Sequence, residues 1–441
     1  MIPKALTPLA ACLLMAGVQA NAQLKPATQN AEDQMSKLYM QVSNLLFGPA
    51  NLKSMLVLQR PGTPLPDDFG EMSQEQRVML NEIVDVVPMV NPNYVANGNM
   101  RYSQIFKAIA QNAQPTVKIT LTPAEEAELK AAQDYVKDVG HSKLYEAGRN
   151  KYWEAVAKVE AASQNGKDAP SSLRAVMAAA KQDWDTQGGR VDYERRVGTI
   201  RTLGSKSGEA YWTALNQRLD AAATETNYGT FFYPQPKDWK STDGWTEVRF
   251  DNNTKVDENQ MSREAIKASV KGKHSWFSID AAFSKTDFSA SSLMDHKDLK
   301  ISFKVKRVNI YRTWFDDLVL KNDAWMLPAT VSFKAISYGN LLSNALKPCA
   351  MPLYTSALLL VKDLKLETAL SQAEMSEYQH KMDIKAKIGL GPFTLSGSYS
   401  KHESGGKSHS AFTATGVSAP DIQILGLVGT APDRSPASTV K

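Results

Sequence analysis

"SALLLVKDLKL", Ser356–Leu366, is the stretch on which the fold turns. It is more continuously apolar than its neighbours, as a central strand buried on both faces is expected to be. Ile301-Ser302-Phe303-Lys304-Val305-Lys306 and Met382-Asp383-Ile384-Lys385-Ala386-Lys387-Ile388 alternate apolar and polar residues, and Val331–Ala335 does so more briefly. That period of two marks strands with one dry and one wet face. The region 245–441 therefore reads as an antiparallel β domain, a sandwich or a curled sheet.

Upstream the period changes. Asn227-Tyr228-Gly229-Thr230 and Pro234-Gln235-Pro236 break the pattern and define a linker over 225–244, and 23–224 reads as an α-helical domain. Thr122-Pro123-Ala124-Glu125 is the clearest helix start: a capping Thr, a Pro suited to the first turn, and a Glu that completes a capping box. Further helices are expected at 142–163 (stripe Tyr145, Gly148, Tyr152, Ala155, Val156, Val159), 171–187 (Val176, Ala180, Trp184) and 208–223 (Tyr211, Leu215, Leu219, Ala222). Aromatic stripes at this spacing are core residues of a bundle rather than a ligand groove. The expected fold is α+β with two domains, an N-terminal helical bundle and a C-terminal antiparallel β domain.

Residues 1–22 have the form of a signal peptide: Lys4, an apolar run from Ala5 to Val18, and Ala20-Asn21-Ala22 as a cleavage site. A lipoprotein signal ending at Cys12 is the alternative, and it leaves Leu13-Leu14-Met15 unexplained. Either way the protein is expected to be exported, periplasmic or secreted. Loss of Cys12 leaves Cys349 as the one thiol, so no internal disulfide is expected. The net charge of +5 is mild for 441 residues and gives no argument for a nucleic-acid partner.

The segment Gly391–Gly416, "GPFTLSGSYSKHESGGKSHSAFTATG", alternates large apolar residues with Ser and Thr around a Glu-Ser-Gly-Gly turn. Phe277–Lys285 aligns without gaps to Phe393–Lys401, so two similar hairpins are expected. The apolar row Phe277, Ile279, Phe283, Phe393, Leu395 and Tyr399, opposite a Ser/Thr row, suits a strand that enters a membrane. The same alternation describes the core and solvent faces of a sandwich strand. The leading functional expectation is engagement of membrane lipid or a cell-surface component, with pore formation by a homo-oligomer as its sharpest form. The alternative is a binding module for a glycan or protein partner, using loops near Trp239, Trp245 and Trp314.

Catalytic chemistry finds little support. There is no G-x-S-x-G or H-E-x-x-H, and the six histidines are scattered. His402 and His409 across Gly405-Gly406 lack a third metal ligand. Gly405-Gly406-Lys407-Ser408 lacks the first glycine of a phosphate loop, and Asp251–Lys255 lacks the glycine and closing glutamate of a calcium loop. Cys349 stands beside one lysine and is expected to be an ordinary thiol. No catalytic residue, metal or cofactor is assigned.

The β half resembles an uncharacterised group of exported or hypothetical microbial proteins. The resemblance rests on Arg307–Phe315 ("RVNIYRTWF") with Trp325, on "MPLYTSALLLVKDLKL" (Met351–Leu366), on "GPFTLSGSYS" (Gly391–Ser400) and on "PDIQILGLVGTAPDRSP" (Pro420–Pro436), with a looser likeness around "LTPAEEAELKAA". It implies the same division into helical and β parts and brings no activity or site residue.

Overall fold

A computed structural model describes residues 28–47, 53–66, 68–71, 73–115, 121–162, 169–207, 209–223, 229–256, 276–277, 288–315, 319–320, 325–333, 335–384, 387–396 and 409–436. In chain order the elements are α1 (Gln29–Phe47), β1 (Ser54–Pro64), α2 (Gln74–Asp85), β2 (Val86–Pro88), β3 (Ala96–Arg101), α3 (Tyr102–Asn112), β4 (Gln114–Pro115), α4 (Pro123–Lys137), α5 (Val139–Ala162), α6 (Ser171–Thr186), α7 (Arg190–Ser207), α8 (Glu209–Ala223), β5 (Thr230–Tyr233), β6 (Thr246–Asp251), β7 (Phe288–Ser289), β8 (Lys300–Arg312), β9 (Trp325–Met326), α9 (Leu341–Leu346), β10 (Tyr354–Glu367), α10 (Gln372–Asp383), β11 (Ile388–Leu390), β12 (Phe393–Ser396), β13 (Ala411–Thr413), β14 (Gly416–Ala419) and β15 (Gln423–Thr430). The fold is α+β, and the principal sheet is antiparallel throughout.

The two long strands, β8 and β10, pair with each other along the middle of that sheet. Each outer edge is then split between two shorter strands. β10 takes β15 along its first half and β14 along its second, with β1 beyond β15 and β13 beyond β14. β8 takes β6 along its first half and β5 along its second. The apolar run in β10 is buried on both faces: Leu359 and Val361 enter one core, Leu358 and Leu360 another. The register against β8 shifts between Lys362 and Lys365, where Asp363 adopts φ 55°. The bulge changes the parity of the strand and returns Leu364 and Leu366 to the core of Leu359 and Val361.

The first face is covered by α1, through Ala31, Met35, Leu38 and Tyr39, and by β11 and β12. The opposite face is covered by Leu65, Phe69, α2 (Leu80, Val84), Phe232 and Trp239. A third core joins α3, α4, α7 and α8 to Trp314, Trp325 and Met351 of the later half. Among the described residues no helix is long and apolar enough to cross a membrane.

The helices expected from Thr122, 142–163, 171–187 and 208–223 are present as α4, α5, α6 and α8. α4 carries the expected capping box between Thr122 and Glu125. Elsewhere the structure corrects local expectations. The first half is not wholly helical, because β1 pairs with β15 inside the principal sheet. The interval 225–244 includes β5, which pairs with Ile310, Tyr311 and their neighbours in β8. Met382 and Asp383 end α10 instead of starting a strand, because the Ser371–Glu374 capping box sets a helix running through them, and β11 begins at Ile388. Val331–Phe333 is a turn over the Trp325 core rather than a strand. Most of the two matched hairpin segments, 278–285 and 397–401, lies outside the described residues.

Candidate binding groove

The covering layer on the Trp239 side stops part-way along the principal sheet, and the alternation in β8 explains where. Ser302, Lys304, Lys306, Val308 and Ile310 share one row; Val308 and Ile310 are roofed by Trp239 and its neighbours, whereas Lys304 is exposed. Lys306 stands at the boundary. Its neighbour Lys362 lines a groove together with Leu65, Pro66, Phe69, Gly70, Pro236, Trp239, Lys240 and Pro420–Ile422, with a volume of about 240 Å³. Across the rim formed by Gly70 and Pro236 a second hollow of about 410 Å³ runs beside β5, with Arg77 and Asn81 of α2 on its far wall. The two share that rim and read as one interrupted groove.

Its floor is rigidly built. The Trp239 indole N–H donates to the Pro234 carbonyl at 2.8 Å, and its ring stacks on Phe69 at 5.1 Å between centroids and meets Phe232 edge-on. The Leu65 N–H donates to the Ile422 carbonyl at 2.8 Å, tying the start of the covering loop to the turn before β15. Asp421 is held by His409, whose backbone N–H lies at 2.9 Å and whose Nδ1 lies at 2.8 Å. On the second hollow, the Thr230 hydroxyl donates to Asn81 Oδ1 at 2.9 Å and fixes α2 against β5.

The charge beside the groove is unusual. Lys306 is only 2% exposed, and its Nζ has two weak acceptors, the Asp238 carbonyl at 3.2 Å and the Ser241 hydroxyl at 3.4 Å. Burial, reinforced by the neighbouring Lys362, pushes its pKa down to about 8; Asp238 and Asp243 oppose that shift. Burial also lowers the pKa of Lys362. Both ammonium groups face the Trp245 ring, at 4.9 and 4.5 Å from its centroid. Trp245 is itself held by its indole N–H donating to the Ser241 carbonyl at 2.9 Å.

The three tryptophans proposed for ligand binding therefore separate. Trp239 lines the groove with its face already occupied by Phe69, Trp245 is half-buried over the two lysines, and Trp314 is a core residue 1% exposed against Phe106. Trp314 is thus removed from any loop site. Of the apolar row assigned to membrane entry, Phe277, Phe393 and Leu395 are buried in the core beneath α1, and Ile279, Phe283 and Tyr399 lie outside the described residues. Phe393 packs edge-on against Phe303 of β8 at 5.1 Å.

Lys306, Lys362, Phe69 and Gly70 belong to no recognisable motif in the sequence. The one available signal was in β8: a row that runs polar through Lys306 and turns apolar at Val308 marks the edge of a cover.

Other candidate chemistry is structural. Asp251–Thr254 is a closed turn in which Asp251 Oδ1 accepts from the Asn253 N–H at 2.9 Å. Cys349 is buried, and burial raises its thiol pKa to about 11, so it is not an activated thiolate at neutral pH. His296 bridges Thr368, which follows β10, and Glu374 of α10, at 2.9 and 3.0 Å. Among the described residues no group of three or more His, Cys, Asp or Glu side chains is arranged to hold a metal ion. The chain matches no protein-family model, no curated protein and no solved structure.

Proposed function

We propose that this is an exported, non-catalytic binding module that holds an apolar moiety of its ligand or partner in the groove along Gly70 and Pro236. One observation carries the reading: Leu65, Phe69, Trp239 and Ile422 give the groove an apolar lining, with Pro66, Pro236 and Pro420 beside them and Lys240, Lys362 and Asp421 as its charged groups. Binding sites have that composition, mostly apolar with sparse placed polar groups. Glycan stacking on Trp239 is less well supported, because Phe69 already covers its ring.

Engagement of a membrane by the Phe393–Leu395 row is a second proposal with less support. It requires β12 to leave a core in which Phe393 is 1% exposed and Leu395 is fully buried. Dye release from liposomes by protein starting at Gln23 tests it directly; leakage would restore it.

Gly70 supplies the test of the groove. It borders both hollows, and a Cβ placed there meets nothing closer than the Lys237 Cα at 3.6 Å. Gly70→Trp is expected to fill the groove with a thermal midpoint within a few degrees of wild type, because it disturbs no core residue. Nile red, a neutral apolar dye, should bind the wild-type protein with a blue-shifted emission that this variant loses. Equal dye binding by both proteins would remove the groove from the proposal.

A further inference from the structure

We infer that Lys362 on the groove wall, with Lys306 buried beside it, forms an anion-binding point, and that the groove's ligand is an amphipathic acid, a carboxylate joined to an alkyl or aryl chain. The inference rests on the groove being a binding site and adds the chemical class of what it binds.

Three features of the geometry support it. First, neither lysine has a carboxylate in ion-pair contact among the described residues, although their neighbour Lys304 has one in Asp363 at 2.9 Å. Lys306 is nearly as buried as the core leucines beside it, and buried ammonium groups ordinarily have a charged or fully hydrogen-bonded partner. Second, the compensation present is weak. One indole ring serves two cations, at 4.9 and 4.5 Å from its centroid, and the two contacts from Lys306 to oxygen lie at 3.2 and 3.4 Å. The lysines also repel one another, since Lys362 is among the causes that lower the Lys306 pKa. A bound carboxylate would relieve both costs. Third, Lys362 is itself part of the groove wall, beside Phe69, Trp239 and Ile422. An acid whose head group meets Lys362 thereby lays its chain on the apolar floor.

The groups facing Lys306 are Lys362 from β10 and Asp238 and Asp243 from the loop before β6. With a pKa of about 8, Lys306 is charged at neutral pH and loses its proton as pH rises above that value. The preference for an anion should fall over the same range.

Calorimetric titration of the full chain with decanoate, decanol and acetate tests the inference. Decanoate is expected to bind at least tenfold more tightly than decanol at pH 7, and acetate, which has the head group alone, should give no measurable heat. Lys362→Met and Lys306→Met should each erase the preference for decanoate over decanol. Gly70→Trp should abolish binding of both. Equal affinity for decanoate and decanol in the wild-type protein overturns the anion site and leaves the groove standing. Binding of neither overturns the groove, and the anion site falls with it. Decanoate binding that persists in Gly70→Trp places the acid elsewhere and also overturns the inference.

Discussion

Two buried cations show how differently this protein treats the same charge. Arg312, at the far end of β8, donates to the Thr355 carbonyl at 2.8 Å and the Val84 carbonyl at 2.7 Å, and lies between the Tyr102 and Tyr354 rings at 4.9 and 5.1 Å. Planar and permanently charged, it is held by directed hydrogen bonds and clamps α2 to the sheet. Lys306 has no comparable set, and its depressed pKa records the cost of its burial. The unfolded chain holds that proton up to a pH near 10.4, whereas the folded chain gives it up near 8, so this group costs stability at pH 7 and the cost fades as pH rises between those values. Lys306→Met is therefore expected to stabilise the protein at pH 7 by on the order of 2 kcal/mol. Urea midpoints measured from pH 7 to pH 10 should show the advantage shrinking with pH. A constant difference would mean that lost charge is not the cause.

At the scale of elements, legibility followed local chemistry. α4 was readable because Thr122, Pro123 and Glu125 state its start within four residues, and the bond from the Glu125 N–H to Thr122 Oγ1 at 3.3 Å realises it. Met382–Ile388 misleads for the converse reason. Its alternation is short, and the cap that decides it, Ser371, lies well upstream. β12 shows a harder ambiguity, since an apolar and a Ser/Thr row look alike in a core strand and a membrane strand. The tertiary structure buries both rows: Thr394 donates to the Gly62 carbonyl at 2.7 Å, and Gln423 accepts from the Thr394 N–H at 2.8 Å. Phe393→Ala is accordingly expected to destabilise the whole protein by about 3–5 kcal/mol, as a core cavity does. Chemical denaturation followed by tryptophan emission measures this. A cost below about 1 kcal/mol would show that the strand is not anchored in the core and would favour the membrane proposal.

At the scale of the molecule, the chain closes on itself. β1, from the first half, completes the sheet beside β15, and α1 lays Met35, Leu38 and Tyr39 over the β10 face, with the Tyr39 hydroxyl donating to the Leu56 carbonyl at 2.8 Å. In return, Trp314, Trp325 and Met351 complete the core of α3, α4, α7 and α8. A fragment covering 229–436 is therefore expected to lack a cooperative unfolding transition and to aggregate through the uncovered edge of β15. A sharp thermal transition in that fragment would establish an independent β domain. The fold class is written in local signals: helical caps and stripes before Ala223, strand periods after Trp245, and a doubly buried Ser356–Leu366 at the centre. These signals are local, and neighbouring side chains along one element suffice to carry them. No local signal says that β1 joins the sheet, that Trp314 and Phe393 are core, or that Lys306 meets Trp245 beside an apolar groove. Each of those depends on which distant segment lies across a face, and that choice is made by packing among all of them at once.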